Sequence, residues 1–281
     1  MNYIDFTIPQ TLTEARDALK ALGPEGMPVA GSTLHVFLRD EAPKVAVDLR
    51  QLGLNRIDAE ADGFVVGATA TVTDMDEYAA PGWVLDRVAC EFVTQPIRNM
   101  ATIGGSIVRV FPWSDWPVPL LALDAQLVIT GDDERTMGSS EFFAVQPFHH
   151  LHPGDLLTAV QVPALRTGEG FGYFKERRTS TDFSRCTVAV WLQLAQHKIA
   201  AVRVAIGAAT PMPRRMPAIE SALTGARPGP DAFTQAVQAG LDEARWKGLH
   251  GISDDYARHL ASVRIVDALT AAWTEAKGNT E

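Results

Sequence analysis

The sequence predicts an α+β protein laid down in three successive units, on three observations. Short apolar runs of strand composition alternate with stretches of helical periodicity from the amino terminus to about Pro163. Longer β-rich runs follow between Val188 and Gly207, and from Pro217 onward the pattern becomes alanine-rich helix. The expected units are a small α/β part over 1–54, a larger α+β part over 55–165, and an antiparallel sheet with helices over 166–281.

In the opening unit Thr11 is placed to cap a helix, with Glu14 three residues later and Ala15, Ala18, Leu19 and Leu22 as its apolar stripe. Gly23-Pro24 stops it. Met27 to Ala30 reads as a short buried strand, and Lys44 to Leu49 as another. In the second unit Phe64 to Ala68 is a strand, Thr73 onward is helical until Pro81-Gly82, and Trp83 to Phe92 has helical periodicity. Trp116 to Leu123 forms a short helix after Pro112, and Ala125 to Thr130 is a strand ending at Gly131-Asp132. Phe142-Phe143 and a strand over Leu156 to Val162 complete this unit. In the third, Val188 to Leu194, the run after Lys198 and Val202 to Gly207 read as antiparallel strands. Pro228-Gly229-Pro230 then breaks the helical region, and the last helix covers Asp255 to Ala276.

Composition narrows the function classes. Apolar residues make up 46% of the 281, an ordinary globular content that argues against disorder. Lys and Arg total 25 against 34 for Asp and Glu, a net charge of -9 that repels nucleic-acid phosphates where no basic patch reverses it. No stretch reaches the length of a membrane span, and Met1 to Phe6 lacks the pattern of a secretory signal. Cys90 and Cys186 fit a reduced, cytoplasmic chain, with a single disulfide left open by spacing alone. Two thiols cannot ligate an ordinary iron–sulfur cluster.

Two glycine-containing turns carry the chemistry. Ala30-Gly31-Ser32-Thr33 follows an apolar run and precedes a possible helix over Leu34 to Leu38. Thr102-Ile103-Gly104-Gly105-Ser106 ends the string Gln95-Pro96-Ile97-Arg98-Asn99-Met100-Ala101. Binding phosphate requires backbone N–H groups that converge on a small volume, and glycine lets the chain approach closely. Neither turn matches the three-glycine dinucleotide fingerprint or the phosphate loop ending in Gly-Lys-Ser/Thr. On spacing alone, an anion site gripped from two sides and a pair of ordinary tight turns both remain open.

The string from Thr94 to Thr130 resembles the FAD-binding medium subunit of molybdenum hydroxylases, the family of aerobic carbon monoxide dehydrogenase and the flavin domain of xanthine dehydrogenase. The resemblance rests on Ile97-Arg98-Asn99, Thr102-Ile103-Gly104-Gly105, Pro112-Trp113-Ser114-Asp115 and Leu120 to Ala125. The first turn is similar to the family's Ala-Gly-Gly motif. Lys175-Glu176-Arg177-Arg178 with Asp182, Val204 to Gly207, Thr210-Pro211, Pro213-Arg214 and Glu220 to Gly225 resemble its C-terminal domain. The resemblance runs through nearly the whole chain in order. It implies a two-part PCMH-type FAD-binding fold followed by a carbon monoxide dehydrogenase flavoprotein-like C-terminal domain.

By that resemblance, Ala30, Gly31, Ser32, Thr33 and Leu34 with Thr102, Ile103, Gly104, Gly105 and Ser106 would hold the flavin diphosphate. Asp115 would approach the ribityl or adenosine side, and Lys175 and Asp182 would lie near the flavin ring. The FAD would be noncovalent, since neither turn contains a histidine or cysteine and His35 lies beyond the first. An iron–sulfur small subunit with two [2Fe-2S] clusters would deliver electrons, and a large subunit would carry molybdopterin, in a dimer of heterotrimers. The external acceptor is expected to be a carrier other than NAD. A stand-alone FAD oxidoreductase and a noncatalytic scaffold that has lost FAD are the rival readings. Against the family pattern, Ser32 stands in place of a second glycine, Leu34 in place of aspartate or serine, and Ser106 in place of asparagine. Val108-Arg109-Val110-Phe111 replaces a small, polar stretch.

His149, His150 and His152 read as surface histidines rather than metal ligands. Cys90 and Cys186 read as small core residues, and Trp113 and Trp116 as core groups or shields for a flavin.

Overall fold

Three β-sheets follow one another along the chain. The computed structural model describes residues 1–38 and 42–279. First come β1 (Asn2–Thr7), α1 (Leu12–Leu22), β2 (Gly26–Val29) and β3 (Pro43–Asp48), whose strands form a parallel sheet of order β1-β3-β2. The Thr11 hydroxyl accepts the Glu14 amide at the start of α1, and Gly23 ends the helix with a φ of 51°. Ala15 and Leu19 of α1 pack with Val47, Leu49 and Leu156, so the same apolar stripe that builds this unit also ties it to the next. Strand β1 escaped sequence reading because its side chains are nearly all exposed; it is a sheet edge with no buried face to write an alternation.

The second unit holds β4 (Ile57–Ala59), β5 (Gly63–Gly67), α2 (Val72–Glu77), α3 (Asp86–Ala89), α4 (Gln95–Arg98), α5 (Ile103–Ile107), α6 (Pro117–Leu123), β6 (Gln126–Thr130), β7 (Glu134–Gly138), α7 (Ser139–Phe142) and β8 (Leu156–Pro163). Its strands form an antiparallel sheet of order β4-β5-β8-β6-β7. The helix expected over 83–92 is realised only in α3. Trp83 is drawn into the core instead: its Nε1 donates to the Met75 carbonyl at 3.1 Å, and its ring packs edge-on against Phe64 and Tyr78. That tertiary anchor outweighs the local preference for helix.

The third unit comprises β9 (Glu169–Glu176), β10 (Cys186–Ala195), β11 (Lys198–Gly207), β12 (Arg214–Arg215), α8 (Pro217–Leu223), α9 (Pro230–Gly240) and α10 (Asp254–Gly278). The antiparallel sheet runs β12-β11-β10-β9. The two runs expected beyond Lys198 are one strand, joined to β10 through Gln196 and His197 at φ 52° and 60°, as a tight hairpin loop of two positive-φ residues requires. Strand β10 is apolar without alternation because both faces are covered. Ala189 and Trp191 join the core of the second unit, while Val188, Val190 and Leu192 face the helices.

Helix α10 lies directly on β9. A Cβ at Gly170 would sit 1.8 Å from the Ala272 carbonyl oxygen, and one at Gly172 would sit 2.2 Å from that of Ala268. The alanines of α10 and the glycines of β9 are therefore two halves of one close contact. It also explains why β9, poor in β-branched residues, carries no strand signature.

The units are stitched by a forked ion pair. Arg87 of α3 donates to Glu275 of α10 at 2.8 and 2.6 Å, and the Phe171 amide donates to the same carboxylate at 2.9 Å. Burial alone would raise the Glu275 pKa, but the Arg87 and Phe171 donors hold it below the ordinary carboxylate range. A depressed carboxyl stabilises above its unfolded pKa of about 4.3, and that contribution is lost as the pH falls through the lower folded value. Glu275→Gln should cost about 1–2 kcal/mol at neutral pH, since the pair is only half-buried. Urea titrations at pH 7 and at about pH 3.5 should show the gap to wild type narrowing in acid; an equal gap at both would exclude the ionised pair as its source.

Candidate functional site

A cavity of about 580 Å³ lies between the first and second units. Ala30, Gly31, Ser32, Thr33 and Leu34 line it from the first, and Thr102, Gly104 and Gly105 from the second. The two sequence-predicted turns thus meet on one space, although they are distant in the chain.

The turns touch through backbone. A Cβ on Gly31 would stand 1.7 Å from the Met100 carbonyl oxygen, so the first turn rests on the segment leading into the second. After β2 the chain bends at Ser32, a non-glycine residue at φ 55°, and enters one 3₁₀ turn over His35–Phe37 where a helix to Leu38 was anticipated. The Ser32 and Leu34 carbonyls accept the amides of His35 and Phe37. The amides of Gly31, Ser32, Thr33 and Leu34 have no acceptor among the described residues. Successive unbonded N–H groups in a turn form a concavity suited to an anion.

The second turn works differently. Thr102 caps α5, its hydroxyl accepting the Gly105 amide at 3.2 Å. The Ile103 and Gly104 amides donate to the Ala70 and Ala68 carbonyls at 3.0 and 2.9 Å, and Ser106 donates to Thr102 at 3.0 Å. All four donors are spent inside the protein. The two turns therefore differ in what they present: the first keeps unbonded amides, while the amides of the second are spent and its glycines offer a surface without side chains. Gly104 presses on Ala68, where a Cβ would meet the carbonyl oxygen at 2.7 Å. Gly105 is exposed, and a Cβ there would meet only the Thr102 hydroxyl, at 2.9 Å.

Five predicted residues do not line the cavity. Ile103 is buried in the core behind the second turn, and the Ser106 hydroxyl donates to the Thr102 carbonyl at 2.7 Å. Asp115 and Lys175 pair with each other at 2.8 Å, at 9% and 2% side-chain exposure, across the junction of the second and third units. Burial raises the Asp115 pKa, against the opposing pull of Lys175. Asp182 pairs with Arg178 at 3.0 Å on the surface.

Other lining residues were not anticipated: His35, Arg109, Phe148 and His152. For Arg109 the sequence signal is the replacement of a small, polar stretch by Val108 to Phe111, whereas His35 reads from sequence as lying beyond the first turn and His152 as a surface histidine. The Tyr3 hydroxyl bonds His35 Nδ1, and burial lowers the His35 pKa. His149 and His150 lie in a 3₁₀ turn, with His150 stacked on Phe142. Cys90 is exposed, which corrects its reading as a core residue; Cys186 is buried, with its pKa pushed up to about 12 by that burial. Both are free thiols. Trp116 is fully buried, while Trp113 stacks on Phe111 and packs against Phe37, Phe183 and His250, so all three units meet in one aromatic cluster.

The architecture defines a class: two α/β units enclosing a cofactor-sized cleft, followed by a sheet-and-helix domain. Residues 2–165 match the FAD binding domain in molybdopterin dehydrogenase, and residues 172–272 match the CO dehydrogenase flavoprotein C-terminal domain. The chain belongs to this family, the FAD-binding medium subunits of molybdenum hydroxylases. It is 28% identical to the carbon monoxide dehydrogenase medium chain of Hydrogenophaga pseudoflava, over 96% of both chains. With the nicotine 6-hydroxylase medium subunit of Paenarthrobacter nicotinovorans it shares 29% identity over 89% of each. A solved structure of carbon monoxide dehydrogenase from Hydrogenophaga pseudoflava superposes with a TM-score of 0.90 at 25% identity, covering 98% of both chains.

Proposed function

We propose that this chain is the electron-transfer subunit of a molybdenum hydroxylase, taking electrons from [2Fe-2S] clusters of a partner subunit and passing them to an external acceptor. The observation that carries this reading is the cleft in which four unbonded amides, Gly31 to Leu34, share one space with the side-chain-free surface of Gly104-Gly105. Those donors suit the diphosphate of a dinucleotide, and the glycine floor leaves it room. FAD bound there would supply the redox chemistry; the protein orients and shields it.

In this reading Ala30, Gly31, Ser32, Thr33, Leu34, Thr102, Gly104 and Gly105 contact the cofactor. Ile103 and Ser106 hold the second turn from behind, the Asp115–Lys175 pair fixes the C-terminal domain, and Asp182 stands outside the cleft. The cofactor is proposed as noncovalent: neither glycine turn contains a histidine or cysteine, no cysteine lines the cleft among the described residues, the Nδ1 of His35 is engaged by Tyr3, and His152 lies on the exposed loop before Pro153. The partners are an iron–sulfur small subunit and a molybdopterin large subunit, assembled as a dimer of heterotrimers in the cytoplasm. Among the described residues no helix is long and apolar enough to cross a membrane. A carrier other than NAD is the proposed acceptor, a reading motivated by the bulky Phe111 and Trp113, which follow the cleft-lining Arg109 in the chain and stack on each other.

Acid precipitation of the purified complex should release FAD into the supernatant, and native mass should count the three subunits equally. Gly105→Val should remove most of the FAD while costing only about 1 kcal/mol, through the displaced Thr102 cap. A folded variant with full flavin would discard the cradle. A colourless complex with its other cofactors in place would select the scaffold reading, and a solitary active flavoprotein the stand-alone one.

A further inference from the structure

We propose that Arg109 is the charged anchor of the cleft, closing its guanidinium on the diphosphate of the bound dinucleotide; this rests on the FAD reading above. Arg109 stands two residues beyond the end of α5 and lines the same cavity as the unbonded amides of the first turn. Its guanidinium carbon stands 5.0 Å from the centroid of the Phe148 ring, and Phe148 is itself a lining residue. That contact steadies the side chain through the ring face and uses none of its five N–H donors. Arg109 makes no hydrogen bond and no ion pair among the described residues.

Neighbouring cations are already committed. Arg16 and Lys20 share Asp132, Arg98 holds Asp76, and Arg135 holds Asp155. Among the described residues Asp155 is the one carboxylate lining the cavity, and Arg135 neutralises it at 2.7 Å. The cleft therefore keeps one uncompensated positive charge in a chain whose net charge is -9. A free guanidinium fork beside a run of free amides calls for a ligand with several anionic oxygens, and a fork matches phosphate geometry bidentately. A neutral nucleoside would leave both donor sets unused.

Arg109 also accounts for how this wall of the cleft can offer donors. The amides of Ile103 to Ser106 are spent internally, and Ser106 replaces an asparagine. The arginine three residues after the turn returns N–H groups, with charge, to that wall.

The test uses the complex as purified, stripped of flavin, with FAD, ADP and adenosine as probes. Arg109→Gln should weaken FAD and ADP by about 10- to 100-fold and change adenosine by less than about twofold. Arg109→Lys should restore part of the loss, because it keeps the charge without the fork. Raising the salt should weaken ADP binding to wild type more than to Arg109→Gln. Arg109 is exposed, so the flavin-free variants should melt as wild type does. Unchanged ADP affinity in a folded Arg109→Gln, or an equal loss for adenosine, overturns the assignment while leaving the FAD reading intact. A wild-type complex that binds neither FAD nor ADP overturns both.

Discussion

Lys175→Met is expected to destabilise the protein by about 3–5 kcal/mol, the characteristic cost of stranding one member of a buried ion pair. The Lys175 Nζ lies 2.8 Å from Asp115 Oδ2, at 2% side-chain exposure, and also donates to the Glu91 carbonyl at 3.3 Å. Once the ammonium is gone, the remaining Asp115 oxygen has nothing to turn to. Its Oδ1 is buried without a partner, as are the Trp116 Nε1 and the Tyr173 hydroxyl of the same junction. Asp115 would be forced toward its neutral form, in the direction burial already drives it. The double substitution Lys175→Met with Asp115→Leu should recover most of the loss, because a matched apolar pair needs no desolvation of charge. Urea unfolding of wild type, single and double variants measures this directly. A single variant within about 1 kcal/mol of wild type would mean that water reaches the pair.

Gly31→Ala should be the more damaging of the two turn substitutions for stability, even though alanine is smaller than the valine placed at Gly105. Every atom the new Cβ meets is backbone: the Met100 carbonyl oxygen at 1.7 Å, its carbon at 2.6 Å and the Ala101 amide nitrogen at 3.2 Å. No rotamer can relieve such a clash, so one turn must move away from the other. Overpacking of this kind costs about 1–3 kcal/mol and more where backbone must shift. Because the moving segment carries the unbonded amides, flavin content should fall together with the melting midpoint. Gly105→Val should separate the two, losing flavin at nearly constant stability. Wild-type midpoint and full flavin in Gly31→Ala would show that the turns do not rest on each other.

Much of the fold was legible because local patterns agree with it. The Thr11 cap and the Ala15–Leu19 stripe make α1. Pro217 and Pro230 mark the starts of α8 and α9, and the long alanine-rich run gives α10 to within two residues at each end. Several of the elements that sequence reading missed have a form set from outside. β1 is an exposed edge, β9 is shaped by the backbone of α10, and 83–85 is irregular because Trp83 is fastened to Met75.

The site divides in the same way. The sequence already located the two turns, because glycine, serine and threonine at a bend are a local requirement of backbone geometry and capping. It also carried the family, through ordered motifs along nearly the whole chain. Which amides are free follows from the folded packing, since the acceptors that consume those of Ile103 and Gly104 are the Ala70 and Ala68 carbonyls, contributed by a distant segment. The same holds for charge. Asp115 and Lys175, expected at the cofactor, pair with each other, whereas Arg109 lines the cleft with no hydrogen-bond or ion-pair partner among the described residues. A residue's type states what it can bind, but its availability depends on every group folded against it, and those groups come from elsewhere in the chain.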